Sequence, residues 1–273
     1  MRRLLFVLLL SSLSLPTYAT ERLRIAGSTT VLPIVAEAAK LYRQRHAKLT
    51  LTVSGGGSGV GVSSVDRGHI EIGMVSRPLT EREQQQLQGR VQVIPIARDA
   101  VAIAVSRAVY EHGVTQLSLQ QIAAIYRGEI TNWREMGGPD SPILVIDKES
   151  SRGTRHVFAK VILGDERARA SGASIITGSN NEEQSAIANS DKAIGMLSTA
   201  WLNEQVFAIA IVQNGKAITP SPGNVSAGLY PIQRTLDILV PNNRSETTAA
   251  FVEFLHSAQG GKIVRQVGYL PVQ

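Results

Sequence analysis

The sequence contains no cysteine, which excludes a lipid-modified cysteine tethering an exported protein to a membrane. A chain of this size can bury a sufficient core without disulfides, so export to an oxidising compartment stays possible. Aromatic residues are also scarce, at 5% of the chain, and offer few platforms for stacking nucleic-acid bases. The net charge of +6 is mild, and no run of five basic residues occurs. A nucleic-acid partner is therefore not expected, whereas a small anionic ligand suits this charge.

Long apolar runs are confined to the N-terminus. Arg2 and Arg3 precede an apolar run at residues 4–10, and small residues follow where signal peptidase reads the chain. This pattern predicts a secretory signal peptide at residues 1–19, cleaved after Ala19, and a soluble mature chain of about 254 residues. The alternative is an N-terminal membrane anchor, but the run is well short of the ~20 residues that span a bilayer.

Apolar periodicity along the remaining chain predicts strands that alternate with helices. The predicted strands are 23–26, 49–53, 70–75, 91–96, 100–105, 143–146, 193–197, 206–212 and 236–240, and the predicted helices are 31–42, 60–66, 119–126, 153–163, 247–258 and 260–267. A loop or hinge is expected at 219–223, which contains two prolines. This alternation implies an α/β fold with mostly parallel sheets.

Three segments share one design, a strand followed by a Gly/Ser/Thr turn and a helix. They are residues 27–30, 54–59 and 150–155. A helix N-terminus presents unpaired N–H groups, glycine permits close approach, and hydroxyls add uncharged donors. One such turn is usually a simple helix cap, but three together favour an anion site. Arg77 follows the strand at 70–75. Its guanidinium either donates hydrogen bonds to a bound oxyanion or is exposed to solvent.

Enzyme signatures are not found in the sequence. Ser58 lies outside a G-x-S-x-G elbow because Val60 occupies the position of the second glycine. No G-x-G-x-x-G register fits the glycine run, and no G-x-x-x-x-G-K-[ST] occurs. The five histidines show no metal-ligand spacing. No enzyme activity, metal or cofactor is therefore expected.

Ordered motifs across nearly the whole mature chain resemble one family. They are I-A-G-S-T-T-V at 25–31, S-G-G-G-S-G at 54–59, I-G-M-V-S-R at 72–77, I-Y-R-G-E-I-T-N-W at 125–133, S-R-G-T-R at 151–155, A-I-A-N-S-D-K-A-I-G-M-L-S at 186–198 and G-Y-L-P-V at 268–272. In this order they are similar to the periplasmic phosphate-binding proteins of ABC phosphate importers. The resemblance implies a monomeric binding protein that hands phosphate to a membrane permease.

The family fold consists of two α/β lobes joined by two crossing strands, with the ligand in the cleft. The resemblance implies that residues 20–101 and 231–273 form one lobe and residues 102–230 form the other. The crossings are expected at 100–105 and 230–240.

The resemblance also implies a set of phosphate ligands from both lobes. They are Ser28, Thr29, Thr30, Gly57, Ser58, Ser76 and Arg77 from the first lobe, and Lys148, Arg152, Gly153 and Thr154 from the second.

Three positions depart from the family pattern. Arg152 replaces a serine, Lys148 replaces an arginine and loses its planar fork, and Ser76 replaces an aspartate. That aspartate can accept a proton that phosphate carries and sulfate lacks at neutral pH. Without it, rejection of sulfate must arise elsewhere or be weaker, and a related oxyanion is an alternative ligand. The same pocket would also suit a phosphatase-like enzyme or a surface adhesion protein, and both functions stay open.

Overall fold

The computed structural model describes residues 21–272. The predicted signal peptide and its cleavage site lie outside the described residues. The strands are β1 (Arg22–Gly27), β2 (Thr50–Gly55), β3 (Ile72–Val75), β4 (Val91–Ser106), β5 (Gln116–Ser118), β6 (Leu144–Lys148), β7 (Ala173–Thr177), β8 (Ala193–Ser198), β9 (Val206–Ala208), β10 (Ala210–Gln213), β11 (Lys216–Ile218), β12 (Gln233–Pro241) and β13 (Leu270–Pro271).

The helices alternate with these strands over most of the described chain. They are α1 (Leu32–Arg45), α2 (Ser58–Asp66), α3 (Glu81–Leu87), α4 (Arg107–Glu111), α5 (Leu119–Arg127), α6 (Gly153–Phe158), α7 (Asn180–Ala188), α8 (Pro222–Ser226), α9 (Glu246–His256) and α10 (Ala258–Gln266). Short 3-10 turns lie at Trp133–Met136 and Thr199–Trp201, and a π-helical turn at Ala159–Leu163 extends α6. Among these residues, no helix combines the length and apolarity that crossing a membrane requires.

One large sheet runs through the molecule in the order β2-β1-β3-β12-β4-β8-β6-β7. Strands β1, β2 and β3 pair in parallel at one end, and β6, β7 and β8 pair in parallel at the other. Strands β12 and β4 join the two ends and are antiparallel to their neighbours. The predicted α/β class with mainly parallel pairing at both ends is therefore confirmed.

The two largest clusters of buried apolar side chains lie at the two ends of this sheet. The first includes Leu23, Ile34 and Phe251, and it also contains Ala97 of β4 and Leu236 of β12. The second is built from the middle of the chain and contains large buried side chains at Tyr126, Trp133 and Phe158. We call the parts around these cores the first and second lobes. Strands β4 and β12 run from the first core towards the second, so they cross between the lobes.

The fold corrects several details of the sequence prediction. Residues 91–106 form one strand rather than two, because Asp99 is buried opposite Arg234 of β12 and its charge does not interrupt pairing. Residues 206–213 form two strands rather than one. Of the segment at 219–223, residues 219–221 form a loop and the rest begins α8, while β4 and β12 connect the lobes. The exact lobe boundaries stay a prediction.

Candidate functional site

Loops at the carboxyl ends of parallel strands from both lobes meet in the cleft. The first lobe supplies the loops that follow β1, β2 and β3, and the second supplies those that follow β6 and β7. In an open α/β sheet, this edge is where ligands commonly bind. The loops lead into α1, α2, α6 and α7, so several helix N-termini also converge here.

A small cavity lies between these loops. Its lining residues are Ser28, Thr29, Thr30, Gly57, Ser76, Lys148, Arg152, Gly153, Thr154, Ser179 and Asn180. The structure therefore brings together all of the predicted site residues except Ser58 and Arg77. It also adds Ser179 and Asn180 from the start of α7, which the sequence prediction did not include.

Buried hydroxyls of the first lobe form a continuous hydrogen-bonded group. Ser28 Oγ donates to Ser76 Oγ at 2.8 Å and accepts from the backbone N–H of Thr30 at 3.2 Å. Ser58 lies behind this layer, where its Oγ accepts from the N–H of Ser76 at 3.1 Å. Ser58 thus positions Ser76 rather than lining the cavity itself.

The two lobes touch across the cavity through polar side chains. Thr30 Oγ1 lies 3.3 Å from Thr154 Oγ1 and accepts from Asn180 Nδ2 at 2.9 Å. At the cleft edge, the backbone N–H of Gly59 donates to the carbonyl of Ser151 at 3.2 Å. Each contact joins a first-lobe group to a second-lobe group, so the structure represents a closed arrangement of the lobes.

Glycine is required where the second lobe approaches the first. A Cβ atom added to Gly153 would lie 2.3 Å from Ser58 Oγ and 2.4 Å from Ser76 Oγ. Gly57 has a φ of +92°, and a Cβ there would lie 2.8 Å from Cδ of Arg152. A side chain at Gly153 would therefore hold the lobes apart, whereas one at Gly57 would strain the backbone and displace the Arg152 side chain.

Arg234 of β12 is a functional candidate that sequence reasoning missed. Its Nη1 donates to Thr154 Oγ1 and to the carbonyl of Ser76, both at 3.0 Å. Its Nε and Nη2 donate to Asp99 Oδ2 at 3.0 and 2.7 Å. Both charged side chains are almost fully buried, at 1% and 0% exposure. Arg234 therefore connects cavity residues of both lobes from the crossing strands.

Lys148 lines the cavity, but its ammonium group is directed at a carboxylate. Its Nζ forms an ion pair with Glu183 and donates to the carbonyl of Ser179 at 3.2 Å. Burial lowers the pKa of Lys148, and the facing Glu183 opposes that shift. Burial raises the pKa of Glu183, and Lys148 together with the bonds from Thr177 Oγ1 and the N–H of Met196 opposes that shift. Lys148 therefore adds less net positive charge to the cavity than an unpaired cation would.

Arg152 extends from the second lobe to the first at the cavity wall. Its guanidinium contacts Glu149, with Nε donating to Oε2 at 2.7 Å, and its side chain runs past Gly57. The arginine side chain is 16% exposed, whereas Glu149 is 49% exposed. Arg152 thus brings a partly paired cation to the edge of the cavity.

Arg77 does not line the cavity, contrary to its predicted place among the ligands. Its Nη1 and Nη2 donate to Glu83 at 2.6 and 2.7 Å, and Nη1 also donates to the carbonyl of Pro78. Glu83 accepts from the N–H of Thr80 as well, in the capping box that begins α3. The guanidinium therefore anchors α3 to the end of β3.

We expect Arg77→Met to lower the free energy of unfolding by about 2 kcal/mol while changing anion affinity less than threefold. Burial raises the pKa of Glu83, but the bonds from Arg77 and Thr80 outweigh burial and hold that pKa below its ordinary value. The ion pair therefore stabilises the fold above the ordinary pKa and loses its effect as pH falls through the lowered value. Denaturant unfolding at neutral and acidic pH, with calorimetry, measures both quantities.

Arg90→Met is the matched control for this prediction, because Arg90 pairs with Asp66 at a side-chain exposure of 54%. Its stability should fall by less than about 1 kcal/mol. A loss of anion affinity of tenfold or more in Arg77→Met alone would contradict the structural role.

Known proteins are similar to this chain over most of its length. A model described as a PBP superfamily domain matches residues 15–259. The phosphate-binding protein PstS of Bacillus subtilis strain 168 is 31% identical over 257 residues, which cover 93% of this chain and 82% of the relative. The chain belongs to the PBP superfamily, in the family of phosphate-binding proteins.

Solved structures of family members give the same result. An ABC-type phosphate transport receptor from Vibrio cholerae matches with a TM-score of 0.74 at 31% identity, over 92% of this chain and 100% of the other. A protein from Clostridium perfringens assigned to phosphate ABC transport, solved with bound phosphate, matches with a TM-score of 0.83 at 28% identity. The match covers 93% of this chain and 100% of that protein.

These comparisons confirm the resemblance seen in the sequence motifs and the two-lobed binding-protein fold. The individual ligand residues stay a prediction, which the cavity geometry now narrows to its lining groups.

Proposed function

We propose that this chain captures inorganic phosphate in the cleft between its lobes and delivers it to the permease of an ABC importer. One observation carries the proposal most strongly: donors from both lobes converge on one small cavity between the lobes. The named relatives are phosphate-binding proteins, which supports phosphate as the ligand.

Binding proceeds by closure of one lobe on the other. Phosphate first meets the hydroxyls and N–H groups of the first lobe, near Ser28, Thr30 and Ser76. Rotation about β4 and β12 then brings Gly153 and Thr154 against the anion. In a cavity closed to water, bonds from these donors to a charged ligand are short and strong.

The site supports binding rather than catalysis. Ser28 and Ser58 bond to Ser76 and to backbone N–H groups, so neither is paired with a side chain that could act as general base. Among residues 21–272, no cluster of acidic and histidine side chains could hold a metal ion. We therefore propose a non-enzymatic protein, and release of p-nitrophenol from its phosphate ester would oppose this.

The proposal also covers the cellular location and the oligomeric state of the protein. A signal peptide at residues 1–19 would direct the chain to the periplasm, where it would act as a monomer with no nucleic-acid partner. N-terminal sequencing of the mature protein tests cleavage of the signal peptide, and light scattering tests whether the protein is a monomer.

Calorimetric titration of phosphate into refolded, phosphate-stripped protein tests the function. We expect a dissociation constant below ~100 μM, a loose bound equivalent to ~5.5 kcal/mol. Sulfate and arsenate titrated alongside separate a phosphate receptor from one for a related oxyanion. Absence of phosphate binding by folded protein would contradict the proposal.

A further inference from the structure

Asn180 is a cavity residue whose side-chain amide has one hydrogen-bonding atom without a partner among the described residues. It is the first residue of α7, it is 2% exposed, and it lines the cavity. Its Nδ2 donates to Thr30 Oγ1 at 2.9 Å. Its Oδ1 is buried, and no group among residues 21–272 donates a hydrogen bond to it. The amide therefore leaves one buried acceptor unsatisfied in a residue that lines the cavity.

Asn180 places its Nδ2, rather than its Oδ1, against Oγ1 of its neighbour Thr30. Thr30 Oγ1 lies 3.3 Å from Thr154 Oγ1, to which it can donate its own proton. It then accepts from Asn180 Nδ2, and Arg234 Nη2 approaches the same oxygen at 3.4 Å. With Nδ2 held by Thr30, Oδ1 is the amide atom left for the ligand.

An unsatisfied carbonyl oxygen is unexpected in a cavity built to hold an anion. A buried acceptor without a donor is costly, and a bare anionic oxygen cannot supply the missing hydrogen. A ligand oxygen that carries a proton can supply it. Phosphate and arsenate retain at least one proton at neutral pH, whereas sulfate has none.

The residue that could otherwise distinguish these anions is absent here. Ser76, which the resemblance implies replaces a proton-accepting aspartate, has its hydroxyl engaged with Ser28 and Ser58. The described cavity lining includes no aspartate or glutamate. Asn180 Oδ1 is the acceptor that the structure offers in its place, and it comes from the opposite lobe.

We propose that Asn180 determines specificity by accepting a hydrogen bond from the protonated oxygen of the bound anion, which favours phosphate and arsenate over sulfate. This inference rests on the proposed function, because it names how the same cavity selects its ligand. An uncharged acceptor performs the selection without placing a second negative charge beside the anion.

Monofluorophosphate provides a direct test on the unaltered protein. It keeps the tetrahedral phosphorus and double charge of phosphate in mildly alkaline buffer, but fluorine replaces the protonated oxygen. We expect phosphate to bind at least ~10-fold more tightly than monofluorophosphate or sulfate, a factor equivalent to ~1.4 kcal/mol. Calorimetry with the three anions, in one buffer, measures these ratios.

Variants at Asn180 test whether this residue causes the preference for phosphate over monofluorophosphate and sulfate. Asn180→Leu keeps the side-chain size but removes the acceptor, so phosphate affinity should fall ~10-fold while the other two anions change less than ~3-fold. Asn180→Asp keeps an acceptor and should keep the preference for phosphate. Thr154→Val is the control, because loss of a donor should weaken all three anions by the same factor.

Specific outcomes would overturn the inference. If Asn180→Leu binds phosphate but keeps the wild-type ratio, or if it weakens all three anions equally, Asn180 is not the proton acceptor. Equal binding of phosphate and monofluorophosphate by the wild type overturns it without any variant. Those results leave phosphate capture intact, whereas a folded wild type that binds none of the anions overturns both.

Discussion

Gly153→Ala is expected to weaken phosphate binding by at least ~100-fold, equivalent to ~2.7 kcal/mol. The added methyl group would lie 2.3 Å from Ser58 Oγ and 2.4 Å from Ser76 Oγ in the closed arrangement. Those hydroxyls are buried and hydrogen-bonded to each other, so they cannot move aside without loss of their partners. The variant should therefore remain open even with phosphate present.

The fold itself should tolerate this change, because Gly153 contacts the opposite lobe rather than its own core. Gly223→Ala is the matched control, since a Cβ at Gly223 would meet no atom within 4 Å and this glycine also lies in a helix of the second lobe. It should leave binding unchanged. Calorimetry gives the affinity, and thermal unfolding checks that both variants are folded. Wild-type affinity in folded Gly153→Ala would show that the cleft does not close as described.

Arg234→Met is expected to weaken phosphate binding by at least ~30-fold, equivalent to ~2 kcal/mol. The guanidinium holds Thr154 Oγ1 and the carbonyl of Ser76 in place from the crossing strands. Removing it also leaves Asp99 buried without its cation. We expect the free energy of unfolding to fall by about 3–5 kcal/mol for that reason.

A second substitution separates the two effects of Arg234. Asp99→Asn removes the buried charge but keeps an acceptor for Ser198 and Thr199, which donate to Oδ1. Arg234→Met combined with Asp99→Asn should therefore recover most of the stability without recovering phosphate binding. Recovery of wild-type affinity in the double variant would contradict the positioning role of Arg234.

The parts of the site that are local in sequence could be predicted from the sequence. The turns at 28–30, 57 and 153–154 each combine glycine or hydroxyl residues with a following helix, and all three line the cavity. The chemistry of a helix start is set within a few residues, so a short segment is sufficient to reveal it.

The parts that depend on pairing between distant segments could not be predicted. Asp99 and Arg234 are 135 positions apart, and each alone argues against a buried strand. Their ion pair across β4 and β12 is what makes burial of both charges possible. Because the sequence does not reveal this pair, β4 was predicted as two strands and Arg234 was not included in the site. Arg77 does not line the cavity, and a related reason applies: its partner Glu83 lies in a helix that the apolar pattern does not reveal.

Helices α3 and α7 were missed because they are mainly polar. Their capping residues were nevertheless visible: Thr80 and Glu83 form a capping box, and Ser179 accepts from the N–H of Glu182. These local signals could have located the helix start that carries Asn180.

Capture of phosphate by closure of the two lobes is tested most directly by small-angle X-ray scattering during a phosphate titration. The radius of gyration of phosphate-stripped wild-type protein should decrease as phosphate is added. The midpoint of this decrease should lie at the dissociation constant measured by calorimetry. An unchanged radius of gyration at concentrations that saturate binding would contradict the account.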